Sequence, residues 1–333
     1  MRFVTNLRTQ DREEAGRFLL EKRDSVAIDI ETVSLSNKLP LGIGIAVTGE
    51  VGYYFFNPRD SLITELLSQT PTLLIFNASF DAPILVELGH SINHFEDVIL
   101  LAYSCGLLDK SLESLSLGFL HAPYTSVTSQ WKKKDQGNIA IDHMKMAEWC
   151  MQHALNTYNL WYKLPKTPLY LELDRPCVDL VIEMESWGVL IDQYRLTLVE
   201  QETVTKANKL EAEIKEELGL SGINLASNGQ VAAALQTKGI IGTRKTKTAR
   251  DSVSEESLKP LNNPLANKIL RHRSLMKTLT TYVPAFRNVD QKGRIHTVYG
   301  YTDTGRWKSG DKQQGKTNLQ NITRDEKFME EGE

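Results

Sequence analysis

The first part of the chain alternates short apolar stretches with turn residues. SVAIDIET, LGIGIAV and VGYYFF have the pattern of strands, and Thr48-Gly49-Glu50 separates the last two as a hairpin turn. SLITELLS then reads as a helix, TLLIFNAS as a strand, and FDAPILVELG as a helix ending at Gly89. Strands followed by alternating helices and strands predict a mixed α/β domain, which we place at residues 1–165.

The rest of the chain has a helical pattern. Between Asp192 and Gly219, apolar residues recur at steps of three and four, which predicts one long helix with a packed stripe. Ser254 is the expected N-cap of a further helix, and a basic helix, ILRHRSLMKTLTTY, follows it. GRIHTVYGY then reads as a strand. With LPKTPLY as a linker, we expect a helical domain over residues 166–290 and the start of a further domain over residues 291–333.

Composition narrows the class of protein only a little. The net charge of the 333 residues is −3, but DNA binding stays open because positive charge can be confined to one face. Cys105, Cys150 and Cys177 have no metal-binding spacing, which fits a reducing cytoplasm. No apolar run reaches the roughly 18 residues of a membrane span, and no signal peptide opens the chain. We therefore expect a cytoplasmic protein with no membrane partner.

Carboxylates are placed where two neighbouring strands would end. Asp29 and Glu31 are two residues apart on a predicted strand, so both side chains lie on one face. Asn77 ends the next strand, and Asp81 lies just inside the following helix. Alone, these residues also fit a solvated polar face and a helix-dipole aspartate. Together they predict a magnesium site, because hard cations prefer oxygen ligands.

The spacing of these residues resembles the 3′–5′ exonuclease domain of family A DNA polymerases, including the phage members. The family pattern is D-x-E, N-x3-D and Y-x3-D on a ribonuclease H-like fold. The resemblance implies divalent metal, Mg²⁺ or Mn²⁺, at Asp29, Glu31 and Asp81, with Asn77 beside the DNA. FEDVILLAYSCGLL resembles the family's acidic segment and contains Asp97.

The third motif departs from the family pattern. The frame MAEWCMQHALNT is intact, but the family tyrosine is Trp149 and the family aspartate is His153. An indole N–H cannot serve as an acid or base, and a neutral imidazole nitrogen suits Mn²⁺, Zn²⁺ or Ni²⁺ better than Mg²⁺. We expect an impaired or inactive exonuclease. Two alternatives stay open: activity with another divalent metal, and a His153 that is simply packed in its helix.

The resemblance continues into the second half. EMESWGVLID, GINLASNGQVAAAL, TKTARDSVSEESL and RHRSLMKTLTTY are similar to successive segments of the polymerase thumb. By position, Lys245, Lys247, Arg273 and Lys277 would contact backbone phosphates of the primer–template, without reading its sequence. Each lysine taken alone also fits a solvated surface. The order of the four segments is what favours a thumb.

GRIHTVYGYTDTGRWKSGDKQQGKTNLQNI resembles the start of the polymerase palm. The resemblance implies that Arg306, Gln320 and Asn321 line the minor groove of the primer–template. Trp307 and the longer GDKQQGKT depart from the pattern. The palm carboxylates of the family come after the position of Glu333, so we expect no polymerisation by this chain alone.

Three interpretations follow from the whole sequence. The first is the N-terminal part of a split or truncated family A DNA polymerase acting in replication. It has a ribonuclease H-like exonuclease domain, a mostly helical thumb and an incomplete palm, and a second polypeptide carries palm and fingers. The second is a free-standing DNA-binding module without catalysis. The third is an exonuclease that uses a non-magnesium metal. We favour the first, because a palm strand needs the sheet to which it belongs.

Overall fold

The computed structural model describes most of the chain. The described residues are 2–4, 9–33, 37–107, 111–121, 142–242, 244–245, 251–302, 304–311 and 315–322. Side chains are described from Arg12 onward. Lys247, one of the expected phosphate contacts, lies outside the described residues, and so does the polar segment QWKKKDQGN at residues 130–138.

The chain forms two compact units, which are described separately. The first runs to Ser186, the second begins at Trp187, and short segments after Tyr301 are divided between them. This division falls later than the boundary expected after residue 165, and the three-domain organisation stays a prediction.

The first unit is built on a mixed sheet. Its strands are β1 (Arg2–Val4), β2 (Ser25–Thr32), β3 (Pro40–Ala46), β4 (Gly52–Phe55), β5 (Thr72–Ile75) and β6 (Phe95–Asp97). Their order in the sheet is β1-β4-β3-β2-β5-β6. Strand β2 pairs antiparallel with β3 and parallel with β5, and β3 pairs antiparallel with β4 as the predicted hairpin. The predicted mixed α/β organisation is therefore confirmed.

Helices of the first unit connect and cover these strands. They are α1 (Thr9–Leu19), α2 (Ser61–Gln69), α3 (Ala78–Glu87), α4 (Val98–Ser104), α5 (Leu112–Leu115), α6 (His143–Lys163) and α7 (Arg175–Trp187). Asp142 is the N-cap of α6, and its carboxylate accepts the backbone N–H groups of Met144 and Lys145. A helix packed on a sheet needs a continuous apolar face. Met146, Cys150 and Met151 supply that face and pack against Tyr54 on β4.

The turn between β5 and α3 differs slightly from the prediction. Strand β5 ends at Ile75, and Asn77 is not its last residue but the N-cap of α3, with φ 73°. Asparagine tolerates this left-handed conformation better than most residues. The turn places Asp81 in the first turn of α3, as predicted.

The second unit is mostly helical. Its helices are α8 (Gln193–Leu218), α9 (Asn228–Thr237), α10 (Glu255–Leu258), α11 (Pro264–Lys277) and α12 (Val283–Arg287). Helix α8 confirms the predicted long helix: the Asp192 carboxylate accepts the N–H of Arg195 at 2.9 Å, and Gly219 ends the helix with φ 72°. Its apolar stripe packs with α9 and α11 around Ile214, Val231 and a few similar residues.

One local prediction in the second unit is wrong. GRIHTVYGY is not one strand but two, β8 (Arg294–Ile295) and β9 (Tyr299–Tyr301). Strand β8 pairs with β7 (Val189–Leu190) and β9 pairs with β10 (Trp307–Ser309). Between the two strands Thr297 is buried and donates its hydroxyl to the carbonyl of Thr317 at 2.8 Å, which interrupts the alternation. Ser254 is the N-cap of α10, as predicted, although its side chain makes no capping bond within the described residues. Among the described helices, none is long and apolar enough to cross a membrane.

Candidate metal centre

Strand β2 brings two carboxylates to one face of the sheet. Asp29 lies opposite Gly44 and Glu31 opposite Gly42 in the pairing with β3, so neither carboxylate meets a side chain from its direct partner. Burial raises the pKa of Glu31 well above its ordinary value, and repulsion from Asp29 and Asp81 raises it further. Carboxylates held together in this way are stabilised by a bound cation.

Helix α6 supplies the third side of the site. The thiol of Cys150 donates to the backbone carbonyl of Asp29 at 3.3 Å, which ties the helix to β2. His153 Nδ1 lies 3.5 Å from Asp29 Oδ2. The ring centre of Trp149 lies 4.4 Å from that of His153, in an edge arrangement. His153 therefore faces the carboxylates, with Trp149 packed beside it.

These side chains form a donor set that could hold one metal ion. One donor atom each from Asp29, Glu31 and His153 lies within 4.8 Å of the other two. Asp29 Oδ2 is buried and accepts no hydrogen bond within the described residues, although His153 Nδ1 lies 3.5 Å away, and a bound cation would give this oxygen a partner. Two carboxylates and one imidazole suit Mn²⁺ or Zn²⁺, whereas Mg²⁺ prefers oxygen ligands alone. The residues present therefore fit a transition-metal ion better than Mg²⁺.

Asp81 is placed differently from the predicted ligand set. It is 4% exposed in the first turn of α3, and it is not part of the donor group that the described residues form. Burial raises the pKa of Asp81 well above its ordinary value, repulsion from Asp29 and Asp97 adds to this, and Lys38 opposes it. Asp81 is therefore electrostatically coupled to Asp29 and Asp97, and its role as a metal ligand stays a prediction.

Asp97 holds the turn that carries Asp81. Its carboxylate accepts the backbone N–H of Ala78 at 2.8 Å, of Asn77 at 3.4 Å and of Ile99 at 3.1 Å. Burial raises the pKa of Asp97 to about 6, although these N–H groups lower it. The sequence indicated Asp97 through the acidic segment, and the structure shows that it positions the backbone of the site.

Tyr170 is a buried residue that the sequence did not single out. Its hydroxyl donates to Glu96 Oε2 at 2.6 Å and accepts the backbone N–H of Asp97 at 3.0 Å. It thereby joins β6 to the segment after α6. Its position in the supposed linker LPKTPLY gave no signal of this role.

The predicted DNA-binding residues of the second unit differ in the groups that their side chains contact. Lys245 forms an ion pair with Asp251. Arg273 donates to the carbonyl of Val253 and, at 2.9 Å, to Asn228 Oδ1. Its guanidinium therefore holds two segments of its own unit together, which the sequence did not predict. The ammonium of Lys277 lies 5.6 Å from the ring centre of Tyr282.

Arg306, Gln320 and Asn321, the expected minor-groove residues, also differ in the contacts of their side chains. Gln320 uses its amide internally: Oε1 accepts the N–H of Ser309 at 3.1 Å, and Nε2 donates to the Trp307 carbonyl at 3.0 Å. Arg306 and Asn321 are exposed. Direct contact of these three residues with DNA stays a prediction.

Two family models match the chain. Residues 193–331 match the model of DNA polymerase family A, and residues 5–167 match that of a 3′-5′ exonuclease. The DNA polymerase I of Rhizobium leguminosarum is 29% identical over 347 residues, covering 96% of this chain and 33% of the relative. That of Caldicellulosiruptor bescii is 26% identical over 313 residues, with 88% and 35% covered. The thermostable DNA polymerase I of Thermus aquaticus is 34% identical over 176 residues, with 49% and 20% covered.

A solved structure shows the same fold. The POL domain of Pol1 from M. smegmatis, in complex with DNA primer-template and dNTP, superposes with a TM-score of 0.69 at 21% identity. The match covers 98% of this chain and 56% of that chain. The predicted fold, a ribonuclease H-like exonuclease domain followed by a mostly helical region, is confirmed. The chain spans about a third of the length of the first two relatives.

Proposed function

Because this chain belongs to DNA polymerase family A and carries its 3′–5′ exonuclease domain, we propose that it holds primer–template DNA and a single-stranded 3′ end during replication. The family match spans both halves of the chain, which supports the interpretation as the N-terminal part of a polymerase. The resemblance to phage members in particular stays a prediction.

Binding of the duplex is assigned to the second unit. Lys277 carries a charge suited to backbone phosphates, and Lys245 and Lys247 belong to a sequence segment similar to the tip of the thumb. Arg273 supports this surface from inside, through its bonds to Val253 and Asn228. Such binding is independent of DNA sequence and weakens as salt rises.

The exonuclease site is proposed to be weak or inactive with Mg²⁺. The observation that carries this proposal is the 3.5 Å approach of His153 Nδ1 to Asp29 Oδ2, where the family places a carboxylate. An imidazole nitrogen is a poor magnesium ligand. Trp149 beside it has an N–H that can donate a hydrogen bond but cannot take a proton from water.

A divalent metal at this site would stabilise the charge that develops on the attacking and leaving oxygens. Asp29, Glu31 and His153 would hold it, because their donor atoms lie within 4.8 Å of one another. Asp81 is electrostatically coupled to the same group, since Asp29 contributes to its raised pKa. The donor set also favours a second candidate function, an exonuclease that works with Mn²⁺ or another non-magnesium ion.

Nucleotidyl transfer is proposed to use palm and fingers in addition to the segments described above. The relatives are about three times as long as the part matched here, since 33% and 35% of their lengths are covered. We therefore propose a partner polypeptide that carries palm and fingers. A free-standing DNA-binding module without such a partner is the alternative, and a search for co-purifying polymerase segments distinguishes the two.

Degradation of 3′-labelled single-stranded DNA tests the proposal. Wild type and the double variant Trp149→Tyr with His153→Asp are compared in Mg²⁺ and in Mn²⁺. We expect Mg²⁺-dependent release of nucleotides from the double variant and little or none from wild type. Digestion by wild type in Mg²⁺, abolished by Asp29→Ala, would show that the site is intact and the proposal wrong. Digestion in Mn²⁺ alone, abolished by His153→Ala, would support the second candidate.

A further inference from the structure

A lysine and an aromatic ring are paired at the edge of the carboxylate site. The ammonium of Lys38 lies 4.8 Å from the ring centre of Phe80, which is within the range of cation–π attraction. Phe80 directly precedes Asp81 in the first turn of α3. Lys38 lies in the connection between β2, which carries Asp29 and Glu31, and β3. The pair therefore links the connection after β2 to α3, and these two parts of the chain carry the carboxylates.

The backbone around Lys38 is held in place. The N–H of Val33 donates to the carbonyl of Leu39 at 3.0 Å and closes the base of this connection. The N–H of Leu39 donates to Asn37 Oδ1 at 3.2 Å. These bonds fix the backbone on both sides of Lys38 relative to β2.

Apolar side chains are exposed on both sides of the closed connection. Val33 is 43% exposed and Leu39 is 61% exposed, while Lys38 and Phe80 are half-buried beside them. A positive charge together with aromatic and apolar surface is the combination that binds single-stranded nucleic acid, since the charge meets the backbone and the apolar surface meets the bases.

The charge at this edge also has an electrostatic purpose. Asp29 and Glu31 have donor atoms within 4.8 Å of each other, and Asp81 directly follows Phe80 in the first turn of α3. In their ionised forms these carboxylates would repel a DNA phosphate. The ammonium of Lys38 lies on the ring of Phe80 and carries the opposite charge. It is thus a half-buried cation of the protein itself beside the carboxylate site.

We propose that Lys38, seated on the ring of Phe80, is a positioning residue that binds a backbone phosphate of the single-stranded 3′ end. Val33 and Leu39 offer apolar surface to the bases of the same strand. The contact needs no bound metal and no cleavage, so the strand is held even where the chemistry is weak. This inference rests on the proposed function and names the residue that receives its single-stranded ligand.

The competing explanation is that Lys38 only neutralises Asp81. In that case its removal would change the stability of the fold and leave DNA binding as it was. Binding and folding must therefore be measured on the same variants.

The test is the affinity for a fluorescent oligothymidylate, measured by anisotropy in EDTA at several salt concentrations. Lys38→Gln is compared with wild type, with Lys38→Arg, and with Lys22→Gln as a matched loss of charge at an exposed lysine of the same unit. We expect Lys38→Gln to weaken binding about tenfold, the worth of one charged hydrogen bond. The slope of log affinity against log salt should fall by about 0.7, the contribution of one phosphate contact on a single strand. Lys38→Arg should keep both values, and so should Lys22→Gln.

Equal affinities and slopes for Lys38→Gln and Lys22→Gln, with both variants folded by circular dichroism, would overturn the inference. So would the absence of oligothymidylate binding by wild type. Blunt duplex binding, measured in parallel, separates this result from the proposed function. If duplex DNA binds normally while Lys38→Gln has no effect, only the assignment of Lys38 fails. If neither DNA binds to wild type, the proposed function fails as well.

Discussion

Gly44 on β3 faces the backbone carbonyl of Cys150 on α6 so closely that a Cβ on Gly44 would lie 2.7 Å from that oxygen. Gly44 is also the register partner of Asp29. Since the thiol of Cys150 donates to the carbonyl of Asp29, one close approach of two backbones sets the height of α6 above the sheet. Trp149 and His153 flank Cys150 on that helix, so the same approach determines how they meet the carboxylates.

Replacement of this glycine should disturb the site. We expect Gly44→Ala to reduce the free energy of unfolding by about 1–3 kcal/mol, because the added methyl group meets rigid backbone. It should also weaken metal binding, since α6 must move away from β2. Chemical denaturation and Mn²⁺ titration measure the two effects. Gly16→Ala is the control: its methyl would make ordinary contact with Leu62 at 3.6 Å, in the middle of a helix where alanine is favoured. Equal behaviour of both variants would contradict the role of Gly44.

Removal of the Asp97 carboxylate should loosen the turn that carries Asp81. In Asp97→Asn, an amide NH₂ can face the backbone N–H of Ala78, which the carboxylate accepts at 2.8 Å. We expect a loss of about 1–3 kcal/mol in the free energy of unfolding, typical for hydrogen bonds to a charged group. Hydrogen exchange should show the loss first at Ala78 and Ile99. Unchanged protection at both amides would argue against this function of Asp97.

The buried carboxyl groups predict a definite pH dependence. In the folded chain the pKa of Glu31 and of Asp81 is raised, and that of Asp97 is raised from 3.8 to about 6. The folded state therefore holds these protons more tightly than the unfolded state. Their contribution to stability is complete below the ordinary carboxyl pKa values and is lost as the pH rises through the raised ones.

Thermal unfolding in EDTA and in Mn²⁺ checks this dependence. In EDTA the melting temperature should fall between pH 4 and about pH 7. Each kcal/mol lost from the free energy of unfolding should lower it by roughly 2–4 °C. With Mn²⁺ present the fall should be smaller, because the ion stabilises the ionised forms of Asp29 and Glu31. A melting temperature in EDTA that rises over the same range would contradict the assignment of raised pKa values.

Arg273 and Lys277 should differ when each is removed. Arg273→Ala breaks the bonds to Val253 and Asn228, so we expect a loss of about 1–3 kcal/mol in stability. Lys277→Ala should change stability by less than about 0.5 kcal/mol, as surface substitutions do. It should instead reduce the salt slope of duplex binding by about 1, the value for one phosphate contact. If Lys277→Ala leaves that slope unchanged, Lys277 does not contact DNA.

Part of the candidate site could be predicted from the sequence because it depends on the regular spacing of side chains along single strands and helices. Asp29 and Glu31 share a face since strand side chains alternate, and Trp149 and His153 share one because they are four residues apart on a helix. The long helix ending at Gly219 was predictable for the same reason, with a cap at each end.

The remainder depends on packing that no local pattern contains. The turn that carries Asp81 is held by the carboxylate of Asp97, which lies 19 residues from Ala78 in the sequence. Arg273 is turned inward by the positions of Val253 and Asn228. Alternation in GRIHTVYGY predicted one strand, but a tertiary bond from Thr297 interrupts it.

The most direct test of the central claim is the choice of metal by the donor set of Asp29, Glu31 and His153. Isothermal titration with MnCl₂ and with MgCl₂ is performed on wild type, His153→Asp and Asp29→Ala. Wild type should bind Mn²⁺ more tightly than Mg²⁺, His153→Asp should gain Mg²⁺ affinity, and Asp29→Ala should bind neither ion at this site. Wild type that binds Mg²⁺ as tightly as His153→Asp would contradict the claim that His153 alters the metal site.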